Sequence, residues 1–162
     1  MTNEFIWRTG RSCVFKNFVH LVFVTKYRRE VFTDEMIKKL HEIFLETCLQ
    51  MGSELLEFGA EGDHVHLMVC CPPKLAIATL VGKLKGKSSY IIRKDFWPQV
   101  KMKLWSDHLW SPSYCVVSCG GAPLEIVKQY IADQRQPVST QSVKQSERFT
   151  GRKRDRDKKW LA

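Results

Sequence analysis

The stretch GDHVHLMV, residues 62–69, decides the fold. Apolar residues alternate with polar ones along it, and this period of two is typical of a β-strand with one buried face. His64 and His66 therefore share the opposite face of the predicted strand. The Gly-Asp pair that opens the stretch favours a tight hairpin turn, and ELLEFGAE (54–61) predicts the partner strand. The sequence thus predicts an antiparallel hairpin that presents two imidazoles on one face.

Further elements lie on both sides of this hairpin. Thr33 can cap a helix whose apolar residues repeat at helical spacing as far as Gly52. A loop rich in tryptophan and lysine is expected over 96–111. The other predicted elements are strands at 17–25, 64–71 and 113–119, a helix over 74–95 and a final helix from Pro123 to Pro137. The order β-α-β-β-α-β plus a final helix predicts an α+β, ferredoxin-like (RRM-like) fold with an antiparallel sheet.

The length of 162 residues indicates one domain, which we expect at 1–136, followed by a basic tail at 137–162. No apolar run reaches the roughly 20 residues that cross a bilayer, so no membrane partner is expected. The N-terminal residues lack the apolar core of a signal peptide. We therefore expect a cytoplasmic protein whose six cysteines are reduced thiols. Zinc binding is the weaker alternative, because paired C-x-x-C spacing is missing.

An excess of basic residues indicates a polyanionic partner. The chain has 26 basic and 17 acidic residues and a formal charge of +9, which favours nucleic acid over a membrane surface. A basic protein without any such partner is the alternative. Gly82 and Gly86 lower the stability of the predicted helix that contains them. Their presence makes sense if DNA or another backbone approaches the helix closely at these positions. The candidate DNA contacts are Lys26, Arg28, Arg29, Lys83, Lys85, Lys87 and Lys94.

The two histidines of the predicted strand are candidate metal ligands. Two imidazoles on one face suit a divalent ion, but they are too few to hold it tightly, so a third donor is needed. Tyr130 and Gln134 are four residues apart, and therefore lie on one face of the final predicted helix. Asp63, directly before the pair, is a candidate for orienting a ligand histidine. The alternatives are ordinary polar histidines on a sheet surface and a tyrosine packed between helix and sheet.

These residue types together predict a reaction at a phosphodiester. A metal held by two imidazoles and an amide oxygen would polarise the phosphate, and a tyrosine hydroxyl could attack it and become covalently attached. We expect His20 and His41 to be structural or solvent-exposed. Packing in the core or in a dimer is the expected role of Trp97, Trp105 and Trp110, with base stacking as the alternative.

Five separated stretches carry a resemblance to a known family. They are VTKYRREVF (24–32), GDHVHLMVCCPPK (62–74), LVGKLKGKSS (80–89), LWSPSYCVVSCGG (109–121) and VKQYIADQ (127–134). In their order and spacing they resemble the single-tyrosine HUH transposases of bacterial and archaeal insertion sequences, the IS200-like family. The resemblance is specific, because several motifs agree over residues 14–136.

The resemblance implies a role for each matching residue. His64 and His66 match the paired metal ligands, Gln134 matches the third ligand, and Tyr130 matches the nucleophile that forms a 5′-phosphotyrosine and leaves a 3′-hydroxyl. The implied metal is Mg²⁺ or Mn²⁺. The implied assembly is a homodimer in which the tyrosine helix of one subunit can complete the histidine site of the other. The implied substrate is single-stranded DNA with hairpins, cleaved and rejoined at insertion-sequence ends.

Two other functions stay open at this stage. One is a non-catalytic, domesticated protein that binds single-stranded DNA hairpins. The other is an HUH nickase of the rolling-circle type, although such enzymes are usually larger. An RNA-binding protein of the RRM type is disfavoured, because no predicted strand carries the aromatic pattern on which such domains stack bases.

Overall fold

A computed structural model describes residues 7–104 and 108–119 of the chain. The described residues all belong to the first of two compact units, residues 1–124, and the second unit is 125–162. The first unit is a mixed α+β structure with antiparallel sheets and three α-helices among its described residues. The predicted domain boundary after residue 136, the basic tail and the final helix lie outside the described residues.

The strands form a small ribbon and a larger sheet. In the ribbon, β1 (Arg8–Thr9) pairs with β2 (Val14–Phe15), which was not predicted because two-residue strands carry no periodicity. The sheet contains β3 (Phe18–Val24), β4 (Glu54–Ala60), β5 (His64–Cys70) and β6 (Cys115–Ser118). Its order is β4-β5-β3-β6, and every neighbouring pair is antiparallel. The four predicted strands are confirmed, each slightly shorter than expected.

The first helix, α1 (Asp34–Gln50), confirms the prediction between Thr33 and Gly52. The Thr33 side chain accepts a hydrogen bond from the Met36 amide at 3.4 Å, which satisfies one of the free donors of the first turn. Gly52 follows the helix with a φ of +71°, a left-handed conformation that glycine adopts without steric cost. Both ends of α1 are thus set by local sequence.

Two further helices follow: one corresponds to the helix predicted at 74–95, and the other lies within the loop predicted at 96–111. Helix α2 (Ile77–Asp95) begins later than expected, because residues 72–75 form a turn after the proline pair. Helix α3 (Trp97–Lys103) occupies part of 96–111, where the prediction of a loop was wrong. Pro98 lies in the first turn of α3, where its missing amide proton breaks no helical hydrogen bond.

The hydrophobic core lies between the helices and one face of the sheet. Leu21 and Phe23 of β3 and Val65 and Leu67 of β5 join buried residues of α1 and α2 in one cluster. Trp110 belongs to this core: its ring contacts three phenylalanine rings, and its Nε1 donates to the Ser88 hydroxyl at 2.9 Å. Core packing is therefore confirmed for Trp110. In contrast, Trp97 is exposed beneath the Arg93 guanidinium, and Trp105 lies outside the described residues.

The turn between β4 and β5 is anchored to the segment after β3. The Gly62 carbonyl accepts hydrogen bonds from the amides of Val31 and Phe32, and the Asp63 carbonyl accepts one from the Thr25 amide. The same segment contains a short 3-10 helix in which Tyr27 and Arg28 have φ angles of 58° and 51°, unusual for residues with a side chain. These contacts fix the start of β5, and with it the first histidine. Within the described residues, no helix is long and apolar enough to cross a membrane.

Candidate active site

The imidazoles of His64 and His66 are adjacent on the sheet face that points away from α1 and α2. Their ring centroids are 4.8 Å apart and their planes are nearly perpendicular, at 84°. On β3 their partners are Val24 and Val22, in an antiparallel register that runs the full length of both strands. The predicted shared face of the two histidines is therefore correct.

His64 is held by a carboxylate on the residue before it. Its Nδ1 atom lies 2.5 Å from Asp63 Oδ1, and Arg28 Nε donates to the other carboxylate oxygen, Oδ2, at 3.2 Å. Partial burial alone would raise the pKa of Asp63, but the hydrogen bonds and charges of His64 and Arg28 outweigh it and the pKa is lowered. Asp63 therefore stays ionised and fixes the orientation of the His64 ring.

His66 is held by a histidine from the neighbouring strand. His66 Nδ1 lies 3.2 Å from His20 Nε2, and the two ring planes are parallel to within 4°. His20 is fully buried, and burial lowers its pKa. His20 is therefore a buried, structural histidine, one of the two expected possibilities, but its contact with a candidate metal ligand was not predicted. The missing signal was the pairing of β3 with β5, which local sequence does not contain.

Glu61 is a second residue that sequence reasoning missed. It faces His64 across the two-residue turn, where its amide donates to the His64 carbonyl at 2.9 Å. Its carboxylate oxygen Oε2 lies 3.9 Å from His64 Nε2, the ring nitrogen that Asp63 does not contact. Residues that flank a two-residue turn face each other, so the turn prediction contained this information. A negative charge thus lies beside the nitrogen through which His64 would bind a cation.

The donor set of the described residues fits part of a divalent metal site. Both imidazoles have Nδ1 in contact with a polar partner, an arrangement that orients Nε2 as the coordinating atom. In residues 7–104 and 108–119 there is no cluster of three or more histidine, cysteine, aspartate or glutamate side chains suited to a metal. A divalent ion bound by the two histidines would therefore need a further donor of another type or from elsewhere. Tyr130 and Gln134 lie outside the described residues.

One group of predicted DNA contacts lies close to the histidine pair. Arg28 reaches Asp63, as described, with its side chain 68% exposed. Lys26 Nζ lies 5.2 Å from the centre of the Tyr27 ring, and Arg29 Nη1 donates to the Lys103 carbonyl at 3.2 Å. The segment after β3 therefore carries three positive charges next to the turn that opens β5.

The other group lies on α2, in the helix layer on the opposite side of the sheet. A groove of about 580 Å³ lies between α1 and α2. It is lined by Thr47, Gln50, Met51, Gly82, Lys83, Gly86 and Lys87. Lys87 forms an ion pair with Glu46 at 3.1 Å, whereas Lys83 and Lys94 are exposed. A Cβ atom built at either glycine would meet no described atom within 4 Å, so the groove floor is open.

Lys85 differs from its neighbours on α2. Its ammonium donates to the carbonyls of Ser111 and Ser113 at 2.5 Å and 3.1 Å, and its pKa is lowered by burial. These hydrogen bonds hold the segment that leads into β6. The contact of Lys85 in this structure is therefore with the protein's own backbone.

A protein-family model described as IS200-like transposase matches residues 13–134. The chain belongs to the IS200-like transposase family. Among its relatives, the ISDra2 transposase TnpA of Deinococcus radiodurans is 35% identical over 129 residues, which are 78% of this chain and 90% of the relative. The IS200 transposase of Salmonella typhimurium is 29% identical over 137 residues, 83% of this chain and 90% of the relative. This member of the family is thus related to DNA-processing enzymes over most of its length.

Solved structures agree with this family assignment. The crystal structure of a Deinococcus radiodurans transposase has a TM-score of 0.64 and 35% identity, and the match covers 78% of this chain and 97% of that one. A tyrosine transposase bound to a REP hairpin has a TM-score of 0.52 at 9% identity, over 76% and 67% of the two chains. The second likeness is one of fold. The IS200-like family member described here therefore shares its architecture with transposases of low sequence similarity.

Proposed function

We propose that this IS200-like family member is a metal-dependent transposase that cleaves and rejoins single-stranded DNA at hairpin-marked insertion-sequence ends. One observation carries the proposal: two adjacent imidazoles on the sheet face opposite α1 and α2, each with its Nδ1 atom in contact with a polar partner. In a transposase family, this arrangement is suited to binding a divalent cation next to a phosphate.

The proposed ligands are His64, His66 and Gln134, and the proposed ion is Mg²⁺ or Mn²⁺. A bound ion would supply Lewis acidity at the scissile phosphate. Asp63 and Arg28 would keep the His64 ring oriented towards the ion. The carboxylate of Glu61, 3.9 Å from His64 Nε2, would add negative charge on the same side.

Tyr130 is the proposed nucleophile. Its hydroxyl oxygen would form a bond to the phosphorus as the bond from phosphorus to the 3′ oxygen breaks, leaving a 5′-phosphotyrosine. The hydroxyl loses its proton, and the departing oxygen gains one to become a 3′-hydroxyl. Because the covalent link conserves a phosphodiester, a second 3′-hydroxyl can reverse the step and rejoin strands.

We further propose that the described strands belong to a ferredoxin-like sheet and that the tyrosine lies on a helix after it. The sheet order β4-β5-β3-β6 and its antiparallel pairing support this arrangement. We also propose a homodimer with shared active sites. The dimer is tested by mixing His64→Ala and Tyr130→Phe proteins, each inactive alone. If active sites are shared, a mixed dimer combines the intact histidines of one subunit with the tyrosine of the other, and cleavage returns.

Two surfaces are proposed to contact DNA. Lys26, Arg28 and Arg29 follow β3, where Arg28 reaches Asp63 beside His64, and suit the strand that is cut. Lys83, Lys87 and Lys94 lie on α2 and suit the hairpin, where they would displace counterions from its backbone. Lys85 is left out of this surface, because its ammonium already donates to two carbonyls.

The test replaces the proposed nucleophile. Tyr130→Phe is expected to abolish cleavage of single-stranded DNA from the flanks of the gene while hairpin binding stays within about twofold of wild type. Tyr114→Phe is the matched control, because Tyr114 is 39% exposed, precedes β6 and belongs to neither proposed DNA surface. Undiminished cleavage by Tyr130→Phe would contradict the assignment. Binding without cleavage by the wild-type protein would favour the non-catalytic binder.

A further inference from the structure

His20 lies beneath the candidate metal site without being one of its proposed ligands. It is on β3, two residues from Val22, the register partner of His66, and its side chain is on the same sheet face. Its ring is fully buried and lies parallel to that of His66, with the two centroids 5.3 Å apart. A buried imidazole is costly unless it forms hydrogen bonds, and the contact of its Nε2 with His66 Nδ1 at 3.2 Å provides one.

The contact constrains the tautomer of both rings. A neutral imidazole carries one proton, so a histidine that binds a cation through Nε2 must carry its proton on Nδ1. His66 would then donate from Nδ1 to the lone pair on His20 Nε2, and His20 would carry its own proton on Nδ1. The reverse assignment, with His20 donating, would put the His66 proton on Nε2 and block coordination there.

We propose that His20 is a positioning residue for His66, accepting a hydrogen bond from its Nδ1 and so keeping its Nε2 lone pair available for a divalent cation. The inference rests on the proposed function, since it concerns the same site. Metal-bound histidines commonly donate their second ring proton to a carboxylate, a carbonyl or water. Here Asp63 fills that role for His64, and an imidazole from the neighbouring strand fills it for His66.

Two variants of His20 separate positioning from packing. His20→Gln can place an amide oxygen near the position of the His20 Nε2 atom, whereas His20→Leu fills similar space without a hydrogen-bond acceptor. With the metal-free full chain and Mn²⁺ alone as the probe, His20→Leu is expected to weaken Mn²⁺ binding by about 10-fold to 100-fold. His20→Gln is expected to stay within about threefold of wild type. Equal losses in the two variants would overturn the proposal, since packing alone would then explain them.

A second readout does not require metal. Long-range ¹⁵N–¹H correlation spectra of metal-free wild-type protein are expected to show the His66 proton on Nδ1, and the Leu variant to show a mixture of tautomers. A His66 proton on Nε2 in the wild type would overturn the proposal, even if neither variant folds. If the tautomer is as expected but wild-type protein binds no Mn²⁺, the metal site of the proposed function fails while the hydrogen bond between the histidines stands.

Discussion

At the scale of single residues, the six cysteines differ in burial, with Cys119 intermediate between two groups. Cys48, Cys70 and Cys71 are buried, while Cys13 and Cys115 are exposed, and all six are free thiols. Burial and, to a lesser extent, the Coulombic effect of Cys71 together raise the pKa of Cys48 to about 12. The thiolate is the reactive form, so buried thiols with a raised pKa should be inert at neutral pH.

Alkylation of the folded protein tests this division. With iodoacetamide at neutral pH, mass spectrometry is expected to find Cys13 and Cys115 modified and Cys48 unmodified, with all six modified in urea. Because the folded pKa of Cys48 is raised, the folded state favours its neutral thiol. That contribution to stability is complete below the unfolded value of 9.0 and is lost as the pH rises towards about 12. Modification of Cys48 as fast as Cys115 would contradict the burial.

At the same scale, the sequence predicted only those contacts of the site that involve residues close together in the chain. A period of two is enough to place His64 and His66 on one face, and adjacency is enough to suggest Asp63. His20 was missed because it meets His66 through pairing between strands 46 residues apart in sequence. The roles of Tyr130 and Gln134 remain predictions.

At the scale of elements, periodicity and caps predicted α1 and the four strands of the sheet. The start of α2 was harder, because Ala76 at its N-cap offers no side-chain hydrogen bond to mark it. Helix α3 was missed because its seven residues are too few for a clear apolar stripe, and its tryptophan and lysines suggested a loop. Short elements of this kind depend on packing against the rest of the molecule.

The two glycines of the α2 groove give a prediction for this element. Gly82→Ala and Gly86→Ala should each stabilise the protein by about 0.5–1 kcal/mol, because alanine is the better helix former and its Cβ meets no described atom. If a DNA backbone lies on the groove floor, the added methyl groups should weaken hairpin binding on the order of tenfold, about 1.4 kcal/mol. Urea denaturation and a hairpin titration measure the two effects.

Thr79→Ala is the matched control for this pair. Thr79 is exposed on the same helix but does not line the groove, and alanine also raises helix propensity there. We expect a small gain in stability and unchanged hairpin binding. If the two glycine variants bind the hairpin as tightly as wild type, the groove does not contact DNA.

At the scale of the whole molecule, the sheet separates the lysine-lined groove from the histidine pair. Its core-facing side is covered by α1 and α2, whose outer groove carries lysines, while the histidine pair lies on its other side. Under the proposed function, a DNA molecule that contacts both the α2 surface and the metal must reach around the sheet. Under that proposal, substitutions in the α2 groove and at the histidine pair should remove hairpin binding and cleavage independently.

A covalent-adduct assay tests the central claim of metal-dependent tyrosine chemistry. Protein is mixed with labelled single strands from the DNA that flanks its gene, with Mn²⁺ or with a chelator, and resolved on a denaturing gel. Metal-dependent tyrosine chemistry predicts a protein–DNA band that requires Mn²⁺ and is lost in Tyr130→Phe and in His64→Ala. A band of equal intensity with chelator, or one that persists in Tyr130→Phe, would contradict it.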